Sequence, residues 1–250
     1  MLVVSIRFPH PLVAGRFLRR LNRFAALVMI DGQQERVHVR NSGRLRELLT
    51  PGRHVLLEPA ATPGRQTRFT LAIARLPGGD VSVDAHLPNA LVEEGLRRGA
   101  IPGFHGYRFV RREVTVGRNR VDFLLARGSR RCLLEVKSVT LVRGGVALFP
   151  DAPTERGRKH LEHLIAARRR GLLAAVVFVV QRRDVTAFAP NEDADPEFRT
   201  TLRLACRSGV RVCALRCRVS PEGVWIDRAI PVRLGRGRSH LDDCSEVGLT

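Results

Sequence analysis

The apolar positions of this chain change texture near residue 85. Up to that point they come in short runs separated by turn chemistry. Phe24 to Ile30 is followed by Asp31-Gly32 and then Arg36 to Val39; Thr50-Pro51-Gly52 introduces His54 to Leu57; Thr62-Pro63-Gly64 introduces Arg68 to Ala74; and Pro77-Gly78-Gly79 precedes Val81 to Val83. Asp-Gly between two apolar runs is the turn pair of a two-residue hairpin, because both residues must tolerate positive φ. About five or six strands in this length, with one short helical stretch around Leu45 to Leu49, predict a small barrel of the oligonucleotide-binding type. A generic β-sandwich meets the same pattern.

After Pro88 the apolar period lengthens. Asn89 to Arg98 reads as an amphipathic helix with Leu91, Val92 and Leu96 inward, ending near Gly99. Strands follow at about Tyr107 to Val116, Val121 to Ala126 and Cys132 to Val139. Thr154 is an N-cap for a helix that runs to Arg170 and stops at Gly171. The longest apolar run, Leu172 to Val180, is about half the length that spans a bilayer, so it predicts a buried strand, Leu173 to Val180, between parallel neighbours. A helix near Pro196 to Arg207 and a strand from Val210 to Arg218 complete the order. The expected fold is α+β: an oligonucleotide-binding-like barrel over 1–85, a mixed sheet covered by helices on both faces over 86–234, and a polar, glycine-rich disordered tail over 235–250.

Composition narrows the partners. The chain has 250 residues and 44% hydrophobic content, ordinary for a globular protein, which excludes disorder as its main state. Its net charge of +19 and pI near 11.5 predict attraction to polyanions, with nucleic acid as the leading partner and RNA as a weaker reading. The charge is spread along the chain, +7 through residue 85 and +12 beyond it, which argues against the concentrated basic helix of a membrane binder. Five cysteines, at 132, 206, 213, 217 and 244, are an odd number without disulfide-like spacing. The N-terminus is broken by Arg7, Pro9 and Pro11 and is no secretory signal, so the expected location is the reducing cytoplasm.

Three polar residues stand where strands should be apolar. Glu135 and Lys137 are two apart in Cys132 to Val139 and leave the same face, and Asp122 in the preceding strand can sit across from them. Lysine occurs only at 137 and 159, so 41 of the 43 basic residues are arginine. An ammonium is a compact charge on a flexible stem and fits beside a water and a phosphoryl oxygen where a planar guanidinium does not. Two carboxylates and a lysine are the parts of a site in which Mg²⁺ or Mn²⁺ assists phosphodiester hydrolysis.

This spacing is similar to that of the PD-(D/E)xK nuclease superfamily, with Val121 where the superfamily name has proline. The flanking strings are more specific. Arg120-Val121-Asp122-Phe123, Glu135-Val136-Lys137-Ser138-Val139-Thr140-Leu141 and Phe149-Pro150-Asp151-Ala152-Pro153-Thr154-Glu155-Arg156-Gly157-Arg158-Lys159-His160-Leu161 resemble the sugar fermentation stimulation protein A family of bacteria and archaea. Asn41-Ser42-Gly43 and Asn89-Ala90-Leu91-Val92 resemble it too, so the likeness spans about residues 10 to 235. The resemblance implies an oligonucleotide-binding-like N-terminal domain, a restriction-endonuclease-like C-terminal domain and non-specific DNA binding, and a role in regulating sugar metabolism has been ascribed to the family.

Carried onto this chain, the resemblance makes Asp122, Glu135 and Lys137 the catalytic set, with Asp122 and Glu135 as metal ligands. Glu94 is the expected additional acid, with Glu93 and Glu113 as alternatives. Arg156 and Lys159, at the positive end of the helix after Thr154, are expected to contact nucleic acid, with Glu155 beside them. A competing zinc site would use His160 and His163 with Cys206, Cys213 and Cys217, but Cys213, Leu215 and Cys217 alternate as one face of a strand and read as core. At 5% aromatic content, backbone tracking by arginine is favoured over base stacking. Two function classes follow: a divalent-metal-dependent nuclease, and a non-catalytic DNA-binding regulator linked to sugar metabolism.

Overall fold

The structure, a computed structural model, describes residues 4–60, 67–116 and 119–235. The expected turn at Thr62-Pro63-Gly64 and the expected tail beyond Gly235 lie outside those residues. The first described strand, β1 (Ser5–Arg7), pairs with the chain's last strand and is taken up below. Five strands then close a barrel: β2 (Val13–Asn22), β3 (Ala25–Ile30), β4 (Gln33–His38), β5 (His54–Pro59) and β6 (Phe69–Leu76), with β7 (Gly79–Ser82) added beside β6. The order β4-β3-β2-β5-β6-β7 is closed by a β4 to β6 pairing at His38 and Thr70, which makes it a barrel and not a sandwich. Asp31 and Gly32 take φ of 46° and 78°, the positive values that a tight hairpin between β3 and β4 needs.

Inside the barrel Phe17, Val28, Val37, Leu57 and Leu71 pack against Leu45 and Leu48. The helical stretch expected around Leu45 to Leu49 is instead a single turn, in which the Leu48 and Leu49 N–H groups donate to the Leu45 carbonyl at 3.1 and 2.8 Å. Leu45 has φ of 49°, outside the right-handed region, so no helix can run through it, and its three leucines plug the barrel end instead.

The second unit contains α1 (Leu87–Arg97), β8 (Arg108–Val116), β9 (Asn119–Arg127), β10 (Arg130–Val139), β11 (Val142–Arg143), β12 (Val146–Phe149), α2 (Glu155–Arg169), β13 (Leu173–Val180), β14 (Ala187–Pro190), α3 (Pro196–Arg207), β15 (Arg211–Ser220) and β16 (Gly223–Ile230). Seven strands form one sheet in the order β1-β16-β15-β13-β10-β9-β8, and β11, β12 and β14 form a small second one. Strand β13 is parallel to both neighbours, β10 and β15, as its unbroken apolar run predicts. One sheet face buries Leu134, Val177 and Leu215 against Leu91, Val92 and Leu96 of α1. The other buries Val176, Phe178 and Val180 against Leu161 and Leu164 of α2 and Phe198 and Leu202 of α3.

The sheet corrects one expectation and agrees with the reading of Cys213 and Cys217 as core. Residues 5–7 belong to the edge of this sheet, paired with Trp225, Val224 and Gly223 of β16, and not to the barrel expected over 1–85. The zinc alternative fails because Cys213 and Cys217 are buried in the α1-side core, where burial pushes the Cys217 thiol up to about 12, while His160 and His163 lie on α2, across the sheet. Cys244 lies outside the described residues.

Barrel and sheet share a core. Leu56, Ala72 and Ile73 of the barrel wall pack in the same cluster as Leu91 of α1 and Leu134 of β10. Hydrogen bonds stitch the seam: Gln181 Nε2 donates to the Asp84 carbonyl at 2.9 Å and to Ser138 Oγ at 3.0 Å, and the Arg44 N–H donates to Asp151 Oδ2 at 2.9 Å.

Candidate active site

The β9 to β10 ladder runs from Arg127 and Arg130 to Phe123 and Leu134 and stops there. Asp122 and Glu135 are the next residue on each strand. Where the ladder would continue, the Val136 N–H donates to Asp122 Oδ2 at 2.7 Å. Asp122 Oδ1 accepts from Asn89 Nδ2 at 3.0 Å, so the first turn of α1 fixes the other carboxylate oxygen.

Glu135 is buried, its side chain 5% exposed. Its Oε1 accepts from Lys137 Nζ at 2.7 Å and from His160 Nδ1, and Lys137 Nζ lies 3.1 Å from that same His160 nitrogen. Arg156 Nε donates to His160 Nε2 at 3.4 Å, which makes Nδ1 the protonated nitrogen. His160 reaches the sheet because the start of α2 is anchored twice. Thr154 Oγ1 accepts from the Gly157 N–H at 3.0 Å, and Asp195 accepts from the Thr154 N–H and from Arg158, both at 2.8 Å, while capping α3 through the Phe198 N–H at 2.9 Å.

Burial and then the like charge of Glu135 push the Asp122 carboxyl above its ordinary value, against the pull of the Val136 N–H, Lys137 and Asn89. For Glu135, burial also pushes upward, but the His160 hydrogen bond and the Lys137 charge outweigh it and hold the carboxyl below its ordinary value. The pair is thus a polarised one: an ionised Glu135 beside an Asp122 whose charge is resisted.

Asp122, Glu135 and Lys137 come together as the sequence predicts. Glu94 does not join them, since its carboxylate pairs with Arg98 at 2.5 Å along α1. Glu93 pairs with Arg97 at 2.7 Å and Arg112 at 3.1 Å, and Glu113, at φ of 55°, pairs with Arg120. Among the described residues no three of His, Cys, Asp and Glu converge on one point. Two carboxylates are nevertheless the usual protein share for a hard cation that completes its shell with water and phosphate. The oxygen-only donors and the mutual repulsion at Asp122 fit such an ion. Asn89 and His160 stand in the sequence only within the family-like strings, and the zinc alternative weighed for His160 is set aside on the sequence itself.

Two hollows flank these residues. On the barrel side a cleft of about 610 Å³ runs from Asn41, Ser42, Gly43 and Arg44 to Lys137 and Ser138. A Cβ at Gly43 would stand 2.9 Å from both Asn41 Oδ1 and Asp151 Oδ2, so a larger residue would displace these side chains. On the α2 side a hollow of about 240 Å³ is lined by Arg120, Arg156, Lys159, His160 and His163. Lys159 also pairs with Glu155 at 2.6 Å.

Comparison with known proteins agrees with both units. Residues 18–83 match the SfsA N-terminal OB domain, and residues 86–223 match the sugar fermentation stimulation protein RE domain. The sugar fermentation stimulation protein homolog of Caldanaerobacter subterraneus subsp. tengcongensis is 44% identical over 90% of this chain and 98% of its own length, and that of Chloroflexus aurantiacus is 46% identical over 89% and 86%. The solved structure of Pyrococcus furiosus SfsA in complex with Ca²⁺ superposes with a TM-score of 0.86 at 31% identity, covering 93% of this chain and all of that one. The chain belongs to the sugar fermentation stimulation protein family.

Proposed function

We propose that this protein is a divalent-metal-dependent nuclease that binds DNA without sequence preference. The observation that carries the reading is the pair of a half-buried Asp122 and a buried Glu135 at the end of one ladder, with Lys137 on the same strand face as Glu135. Asp122 and Glu135 would hold Mg²⁺ or Mn²⁺, which when bound polarises a phosphoryl oxygen and makes water a stronger acid. The relative whose structure was solved in complex with Ca²⁺ supports a hard cation of the same oxygen preference.

The chain's own groups have separable tasks. The Asn89 amide and the Val136 N–H orient Asp122. The His160 Nδ1–H keeps Glu135 ionised and aimed, and Lys137 Nζ brings a positive charge to where the attacked phosphate gains negative charge. Arg44, Arg156 and Lys159 stand at the approaches, where backbone phosphates would lie. A surplus made almost wholly of arginine supports attraction to phosphate in any sequence. Cys132, Cys206, Cys213 and Cys217 are thiols and not disulfides, which suits a reducing cytoplasm, and no helix among the described residues is long and apolar enough to cross a membrane.

One observation favours the second reading, a DNA-binding regulator of sugar metabolism without turnover: Glu135 already accepts from two donors of its own, Lys137 Nζ and His160 Nδ1. A labelled panel of single-stranded, duplex and branched DNA separates the two. The nuclease reading expects cleavage that needs Mg²⁺ or Mn²⁺ and is lost in Glu135→Ala while DNA binding survives. Absence of cleavage on every substrate, together with no metal binding by calorimetry, would leave the regulator.

A further inference from the structure

The turn between β2 and β3 presents Phe24 at 51% exposure, the most exposed large apolar side chain among the described residues. The turn is held rather than loose. Asn22 Oδ1 accepts from the Phe24 N–H at 2.8 Å, the Phe24 carbonyl accepts from the Val39 N–H at 2.9 Å, and the Arg20 guanidinium bridges the carbonyls of Asn22, Arg23 and Asn41. A rigidly held, solvent-facing ring costs its protein burial and offers a flat face to a planar partner. This turn joins the first two strands of the barrel, the loop through which barrels of this type reach oligonucleotides.

Phe24 also opens a path. With His38, Arg40 and His86 it lines a hollow of about 370 Å³, and that hollow shares Asn41, Ser42 and Ala85 with the 610 Å³ cleft leading to Lys137. Beyond Lys137, His160 belongs to the 240 Å³ hollow of Arg120, Arg156 and Lys159. The first two concavities share a wall and the third is joined to them through the 3.1 Å contact of Lys137 Nζ with His160, so they line up as a track past Lys137, with exposed cations Arg23 and Arg44 before it and Arg120, Arg156 and Lys159 after it. The acids along it are engaged: Asp151 accepts the Arg44 N–H and Glu155 pairs with Lys159.

Size decides what fits. At 610 Å³ the central cleft is in the range of a drug-sized ligand, about 300–1,000 Å³, which is room for a nucleotide or two. A duplex, with two stacked and paired strands, exceeds that volume and could only lie across the mouth of the cleft. We infer that the track takes one strand of DNA, with a base stacked on Phe24 and the backbone carried across Lys137, so that the substrate is a single-stranded or frayed segment. The inference rests on the nuclease reading for what happens at Lys137, but the strand binding stands apart from it.

The test is fluorescence anisotropy of the full chain, in chelator, against a labelled oligothymidine of about twelve nucleotides and a blunt duplex of equal length. The wild type is expected to bind the single strand about tenfold more tightly than the duplex, and Phe24→Ala to lose about tenfold on the single strand alone. Phe24→Trp restores it, and an unchanged melting temperature shows that neither variant disturbs the fold. Equal or tighter duplex binding, an equal loss on both ligands in Phe24→Ala, or a clear preference for the ribo-oligonucleotide would overturn the inference. Single-strand preference without metal-dependent cleavage would sink the nuclease reading alone; cleavage of blunt duplex as fast as single strand, with no binding preference, would sink this inference alone.

Discussion

Lys137 is one of two lysines in a chain with 41 arginines, and its surroundings explain the choice. Its Nζ fits between Glu135 at 2.7 Å and His160 at 3.1 Å on a side chain only 13% exposed, a space for a point charge and not for a planar fork. Lys137→Arg should therefore fail as a conservative change: initial cleavage rates with Mn²⁺ should drop about 10²-fold or more while DNA affinity holds. Asn89→Ala should weaken Mn²⁺ binding about tenfold by calorimetry, because Asp122 loses its orienting donor. The juxtaposition of Glu135 and Lys137 was legible because strand periodicity alone puts them on one face. His160 was not, since its contact depends on how α2 docks across the sheet, and no local pattern encodes that. The failure at Glu94 had a visible cause: Glu93 and Glu94 each stand four residues before an arginine on a helix, the spacing of an ion pair.

Among the elements, the starts of α2 and α3 hinge on Asp195. Burial alone would raise its carboxyl, but the N–H groups of Thr154 and Phe198 and the Arg158 guanidinium hold it below its ordinary value. A depressed carboxyl contributes stability above its unfolded-state pKa and loses it as pH falls through the depressed folded-state value. Asp195→Asn should thus destabilise the fold by about 2–4 kcal/mol at neutral pH, and denaturant curves of variant and wild type should converge in acid. A difference that stays constant down to strongly acidic pH would remove the charge from this account. Strand β13 and helix α3 have the bounds that their sequence patterns predict. Strand β2 was missed because register shifts after Phe17 and Arg20 break its period of two and interleave Arg16, Arg19 and Arg20 with the inward Phe17.

At the scale of the molecule, the +19 charge makes binding to DNA a question of counterions. With about six or more phosphates neutralised, affinity should fall about 10³-fold between 50 and 200 mM salt, linearly on logarithmic axes, and a flat response would rule out backbone electrostatics. The two-unit architecture and the α+β class were readable from the change of hydrophobic period near residue 85. Their fusion was not: Leu56, Ala72 and Ile73 look like ordinary barrel residues in sequence, yet they join the α1 core, and β1 finds its partner β16 more than 200 residues away. That fusion sets the cleft walls on either side of Lys137, so the barrel and the sheet build the site together. Whether Asp122 and Glu135 hold a catalytic cation is read by anomalous diffraction from crystals soaked in Mn²⁺. A peak between the two carboxylates that vanishes in Glu135→Ala is expected; an empty site at saturating Mn²⁺ in the wild type would overturn the cation's place in the mechanism.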